Sequence, residues 1–117
     1  QNILLAKKRN MGVIGIRSHA AGALSAAVDR PIPTDSELLR QDVASAARLD
    51  FLLNSPIDTL SQAATIFCLM NHDIHTTVPG VKNQAETEEM AGCMDMEPIN
   101  PAHITRLREL YYKGFQD

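Results

Sequence analysis

The sequence predicts an α/β fold built on parallel strands. Two apolar segments carry that expectation, Met11–Ile16 and Ile74–Val78, both too short for a helix. Helical patterns with recognisable ends flank each of them, and strands separated by helices pair in parallel. Met11–Ile16 lacks polar alternation and fits a strand buried on both faces; Ile74–Val78 reads as a short buried strand too. A parallel pair alone cannot cover both of its faces. The sheet is therefore expected to continue in sequence beyond this chain or in another chain.

The elements follow in order. Ile3, Leu4 and Leu5, then Lys7, Lys8 and Arg9, suit the end of a helix, where cations complement the dipole. Asn10 can close it in the left-handed conformation. Because Gln1 opens the chain already inside such a pattern, we expect a piece that begins within an element. After the first strand, Arg17–Pro33 is a long loop of Ala, Gly, Ser and Pro, a length that is usually functional in a compact domain. Thr34-Asp35-Ser36-Glu37 has the capping-box pattern and predicts a helix to about Asn54, with Leu39, Val43, Ala46 and Ala47 on one face. Ser55-Pro56 breaks it.

Thr59-Leu60-Ser61-Gln62 is a second capping box. Leu60, Ala63, Ala64, Phe67 and Cys68 then recur with helical spacing and predict a buried stripe that includes Phe67. Behind the second strand, Pro79-Gly80 turns the chain, and Asn83 with Glu86 caps a helix to about Met94. Asn100-Pro101 opens the last helix, with Asn at the cap and Pro in the first turn.

Composition bounds the function. The 117 residues suit one domain, with 44% hydrophobic and 21% charged residues, a globular balance. With two Tyr, three Phe and no Trp, aliphatic residues and Met must fill the core. A net charge of −3 argues against non-specific nucleic-acid binding. No apolar run reaches the roughly 20 residues of a membrane span. Cys68 and Cys93 sit in apolar helical patterns and are expected as buried reduced thiols, which fits a cytoplasmic protein.

Ligands of α/β folds gather where strands end and helices begin. After the first strand stands Arg17-Ser18-His19-Ala20-Ala21-Gly22, with small residues that let the main chain approach a ligand and an arginine for charge. A surface linker fits this segment equally well, and His19 suits either a phosphate or water. After the second strand, Gly80 permits a tight turn, Val81 follows, and Lys82 supplies a point charge beside the unpaired amides of a helix start. A plain strand-to-helix turn with a solvated lysine is the simpler alternative for this segment alone. Two such ends in one parallel sheet favour an anionic ligand.

Together these segments resemble the aldo/keto reductases. Met11–Leu24 is similar to the seventh barrel strand of that family and its loop; Ser61–Ala64 through Val78-Pro79-Gly80-Val81-Lys82-Asn83 is similar to the next helix and the eighth strand. The resemblance spans about Met11 to Tyr111. It implies a partial (β/α)8 TIM barrel, residues 1–117 forming one C-terminal segment with the last two parallel strands. It also implies an NADPH-dependent oxidoreductase acting on aldehydes or ketones. By the resemblance, Arg17, Ser18, His19, Ala20, Ala21 and Gly22 would face the nicotinamide and pyrophosphate. Gly80, Val81, Lys82, Glu86 and Glu89 would line the adenosine end, with Lys82 meeting the 2′-phosphate. The chain departs from the family pattern at Glu86, where Gln or Arg is usual, and at Met90, where Asn is. The aromatic residue that stacks on the nicotinamide is missing near Ile16 and Arg17. The family's catalytic Asp, Tyr, Lys and His belong to strands this sequence does not contain, so the chain alone is expected to be inactive. The other expectation is a non-catalytic half-barrel that forms a homo-oligomer or binds a complementary N-terminal chain.

The remaining residues read as structural. His72 and His75 straddle a helix end and a strand start and would point apart. Tyr111 and Tyr112 are expected to anchor the last helix. The acidic residues Glu86, Glu88, Glu89, Asp95 and Glu97 form a solvated face, and Met90, Met94 and Met96 fill the core.

Overall fold

The protein is described by a computed structural model over residues 2–25 and 36–116. Among these residues it is mixed α/β, with five α-helices and a two-stranded parallel sheet. Helix α1 (Asn2–Lys8) ends at Lys7 and Lys8, and Asn10 takes a φ of 53°, the left-handed stop its side chain favours. Strand β1 (Ile14–Ile16) and strand β2 (Thr76–Val78) pair in register, Ile14 with Thr76, Gly15 with Thr77 and Ile16 with Val78.

Between the strands lie α2 (Glu37–Ala46) and α3 (Leu60–Leu69); after them come α4 (Gln84–Gly92) and α5 (Pro101–Tyr112). Three ends follow from local side-chain chemistry. Thr59 accepts from the Gln62 amide while Gln62 reaches back, closing the expected capping box on α3. Asn83 accepts from Glu86 N at the start of α4, and Asn100 from Ala102 N with Pro101 in the first turn of α5.

The core sits among the helices. Leu49, Leu52, Ile57, Ala63, Ile66, Met90, Cys93 and Ile99 are buried together, with Leu107, Leu110 and Phe115 packed against them. Phe115 is tied in from the far end, where the Arg48 guanidinium donates to its carbonyl at 2.8 Å. Both cysteines are free thiols, Cys93 buried and Cys68 half-buried. Burial pushes both thiols above their ordinary pKa. Among the described residues, no helix is long and apolar enough to cross a membrane.

Several expectations are corrected. Helix α2 stops at Ala46 instead of near Asn54, because Leu49, Leu52 and Ile57 must all reach the core and a tight turn over Asp50–Leu52 redirects the chain. Thr34 lies outside the described residues; the cap position of α2 is Ser36, and Glu37 engages Arg40 and Gln41. Helix α4 ends at Gly92, and a tighter turn over Cys93–Asp95 carries Cys93 inward.

The strands are shorter than expected and are not buried. Ile14, Ile16 and Val78 are exposed, whereas Gly15 and Thr77 are half-buried, since the described residues cover one face of the sheet only. Gly15 has its own reason there: a Cβ would lie 3.5 Å from Ile74 Cγ2 and Thr77 Oγ1. On α3 the buried residues are Ser61, Ala63, Thr65 and Ile66, and Phe67 is 46% exposed. Of the expected stripe, Ala63 is buried and Leu60 packs against the core, while Phe67 turns outward. Met94, Tyr111 and Tyr112 are exposed as well, and α5 is held instead by Ile104, Leu107 and Leu110.

Candidate functional site

The register of the sheet brings the two predicted loops together. Ile16 and Val78 are paired neighbours at the ends of their strands, so Arg17 and Pro79 leave the sheet side by side. Residues separated by about sixty positions thereby share one edge of the fold.

The first loop is wound tightly. Arg17, Ala20, Ala21 and Gly22 take φ values of 59°, 47°, 56° and 99°, so three residues with a Cβ stand in the left-handed region. Such positions cost of order 1–3 kcal/mol each and persist where the surroundings enforce them. Here the loop folds on itself: Ala20 N donates to Arg17 O, Gly22 N to His19 O, and Ala23 N to Ala20 O. The amides of Ser18, His19 and Ala21 are not drawn into those bonds. Ser18 Oγ is buried with no hydrogen-bond partner among the described residues, an acceptor and donor left unmatched there at the loop's base.

His19 turns inward. Its Nε2 lies 3.2 Å from Thr65 Oγ1, and the Thr65 hydroxyl donates to Met90 Sδ at 3.2 Å. Thr65 thereby links the His19 ring to Met90. Burial holds the imidazole below its ordinary pKa; the Glu89 carboxylate, the Ser61 carbonyl and the Glu86 carboxylate push the other way and lose. His19 thus serves as a neutral strut between loop, α3 and α4.

The second loop is built around Glu86. Its Oε2 accepts from Lys82 N at 2.7 Å and its Oε1 from Asn83 Nδ2 at 3.2 Å, while Glu86 N donates to Asn83 Oδ1 at 2.9 Å. Gly80, Val81 and Lys82 are exposed, and no ion pair engages Lys82 or Arg17 among the described residues. Glu89 lies one turn further along α4 and accepts from the Thr59 hydroxyl, which links α4 to the cap of α3.

No family model, curated protein or solved structure matches this chain. Function must be argued from its own residues.

The predicted residues sort into two groups. Arg17, Lys82 and the exposed turn Gly80–Val81 present charge and backbone to solvent at adjoining strand ends. His19, Glu86 and Glu89 make contacts within the protein. Sequence reasoning missed Thr59 and Thr65 as the partners that position Glu89 and His19. The signal was the i, i+4 pair Ser61 and Thr65, two hydroxyls on the packed side of an otherwise apolar helix.

Two clefts lie elsewhere. One of about 140 Å³ is lined by Lys7, Val13, Asp73 and His75, beside the opposite ends of the strands. The other, of about 270 Å³, lies between Asn54–Ile57 and Glu97–Pro101. Neither includes a residue of the two strand-end loops.

Proposed function

We propose that this chain is the C-terminal NADP(H)-binding part of an aldo/keto reductase-like oxidoreductase, a partial (β/α)8 barrel. The observation that supports it most is the pairing of Ile16 with Val78, from which two loops of the expected chemistry emerge side by side. Arg17 and Lys82 supply cationic charge, and Lys82 stands at the start of a nine-residue helix whose dipole favours anions. The unmatched Ser18 hydroxyl is a group that a phosphate oxygen would complete. In this reading Lys82 receives the adenosine 2′-phosphate, and Ser18 with the neighbouring amides receives the pyrophosphate. The cofactor would supply the hydride; this chain's residues bind and orient it.

No residue here has a catalytic role in that reaction. The complete protein reduces an aldehyde or ketone, and the 117-residue chain alone does not. Lys82→Ala tests the assignment: NADPH binding weakens more than NADH binding, because only NADPH carries the extra phosphate. Equal losses for both would remove Lys82 from the role, and carbonyl reduction by the isolated chain would refute the division of labour.

A second reading has its own support. Ile14, Ile16 and Val78 are 62%, 71% and 58% exposed on one face of the sheet. In a closed barrel that face is the packed interior. We propose that a second copy or a complementary chain covers it. Sedimentation as a monomer at all concentrations, with sharp thermal unfolding, would count heavily against this.

A further inference from the structure

We propose that His75 is a pH-sensitive latch at the start of the sheet, closed while its ring is neutral and released when the ring takes up a proton. It stands at the end of the strand pair away from the two strand-end loops. There His75 N donates to Val13 O at 2.9 Å, and Val13 N donates to His75 Nδ1 at 3.0 Å. The first bond continues the parallel ladder one residue beyond the pairing of Ile14 with Thr76. In the second, a side chain takes the Val13 amide. A backbone amide only donates, so Nδ1 is the unprotonated nitrogen of a neutral ring whose proton sits on Nε2.

Protonation puts a hydrogen on Nδ1, so the Val13 amide loses its acceptor and faces another donor. Histidine side chains change charge between roughly pH 5 and pH 8. His75 is exposed, so a proton reaches it in the folded chain. The latch is therefore present at higher pH and lost at lower pH. Its surroundings also provide for the cation. The ring lines a cleft of about 140 Å³ with Lys7 of α1, with Asn10, Met11 and Val13 from the segment after α1, and with Asp73 from the turn before β2. Lys7 and Asp73 are the other charged groups of that cleft and pair at 2.6 Å. The ammonium opposes a charge on the ring, and the carboxylate favours one. Released from Val13, the imidazolium can turn to Asp73 in competition with Lys7. Both ties across the cleft then weaken together, in a sheet of only three residue pairs.

Amide exchange of the 117-residue chain, followed by NMR, tests the latch. Protection is taken relative to an unstructured chain at the same pH, which cancels the intrinsic pH dependence of exchange. Between pH 7.5 and pH 5, protection at Val13 N should fall by about fivefold, the equivalent of one ordinary hydrogen bond. His75→Asn offers an acceptor that does not titrate and should show no such fall. An equal fall in both proteins, or none in the unaltered chain, overturns the latch. A second measurement needs no substitution. Ring-nitrogen NMR of His75 at pH 7.5 should find the proton on Nε2, and a proton on Nδ1 would overturn the proposal at its first step.

Discussion

Replacing Ile66 and Phe67, adjacent residues of α3, should give opposite extremes of destabilisation. Ile66 is 2% exposed and belongs to the helical core, whereas Phe67 is 46% exposed. Ile66→Ala removes the transfer free energy of its lost methyl and methylene groups and leaves a cavity, together about 3 kcal/mol. Phe67→Ala gives up about half the burial of a phenyl ring and opens no cavity, about 1 kcal/mol. Urea unfolding followed by circular dichroism converts these costs to midpoints. With a slope of about 1.5 kcal/mol per molar urea, Ile66→Ala should lower the midpoint by roughly 2 M and Phe67→Ala by less than roughly 1 M. A Phe67→Ala loss equal to or greater than that of Ile66→Ala would refute the orientation of α3. A Phe67→Ala cost that grows with protein concentration would instead show that a second copy covers this face.

Thr59→Ala removes both the cap of α3 and the hydroxyl that donates to Glu89, and should cost about 1–2 kcal/mol, with Thr59→Ser recovering most of it; a serine variant no better than alanine in the same urea assay would contradict the hydroxyl's role. His19 predicts a pH dependence. Its folded-state pKa is lowered from 6.5 by burial, so its contribution to stability is present above that value. As pH falls below 6.5, the unfolded chain takes up the proton first, and stability declines until pH has passed through the lower, folded-state pKa. Melting temperatures between pH 7.5 and pH 5 should therefore fall less steeply in His19→Gln than in the unaltered chain, despite the opposing carboxylates of Glu89 and Glu86. An identical slope in the two would remove His19 as its source.

What could be read from sequence was local. Thr59 with Gln62, Asn83 with Glu86 and Asn100 before Pro101 each act within three residues, so their patterns predicted the starts of α3, α4 and α5. Asn10 announced the end of α1 in the same way. Where distant elements decide, the pattern misled. The stripe through Leu60, Ala63, Ala64, Phe67 and Cys68 is regular, and Leu60 and Ala63 do meet the core; further along, the core draws in Ile66 and Thr65 instead of Phe67, because Met90, Cys93 and Ile99 pack there. Helix α2 has no breaker before Ser55-Pro56; the inward turn of Leu49 and Leu52 ends it early.

The candidate site divides along the same line. The Asn83–Glu86 cap was legible, but that the Glu86 carboxylate also reaches back to the Lys82 amide is a conformational fact that residue types alone do not reveal. The His19–Thr65 contact spans 46 positions and the Thr59–Glu89 contact 30, so neither had a signature in the chain. Strand burial was misjudged for a physical reason as well. Apolar β-branched residues predict a covered face, and Ile14, Ile16 and Val78 have none among the described residues.

Amide hydrogen exchange of the 117-residue chain, with and without NADPH, tests the central claim most directly. The account predicts slowed exchange at the two segments that leave the paired Ile16 and Val78, residues 17–22 and residues 80–86. No change on adding NADPH, or protection confined to the cleft between Asn54–Ile57 and Glu97–Pro101, would contradict it.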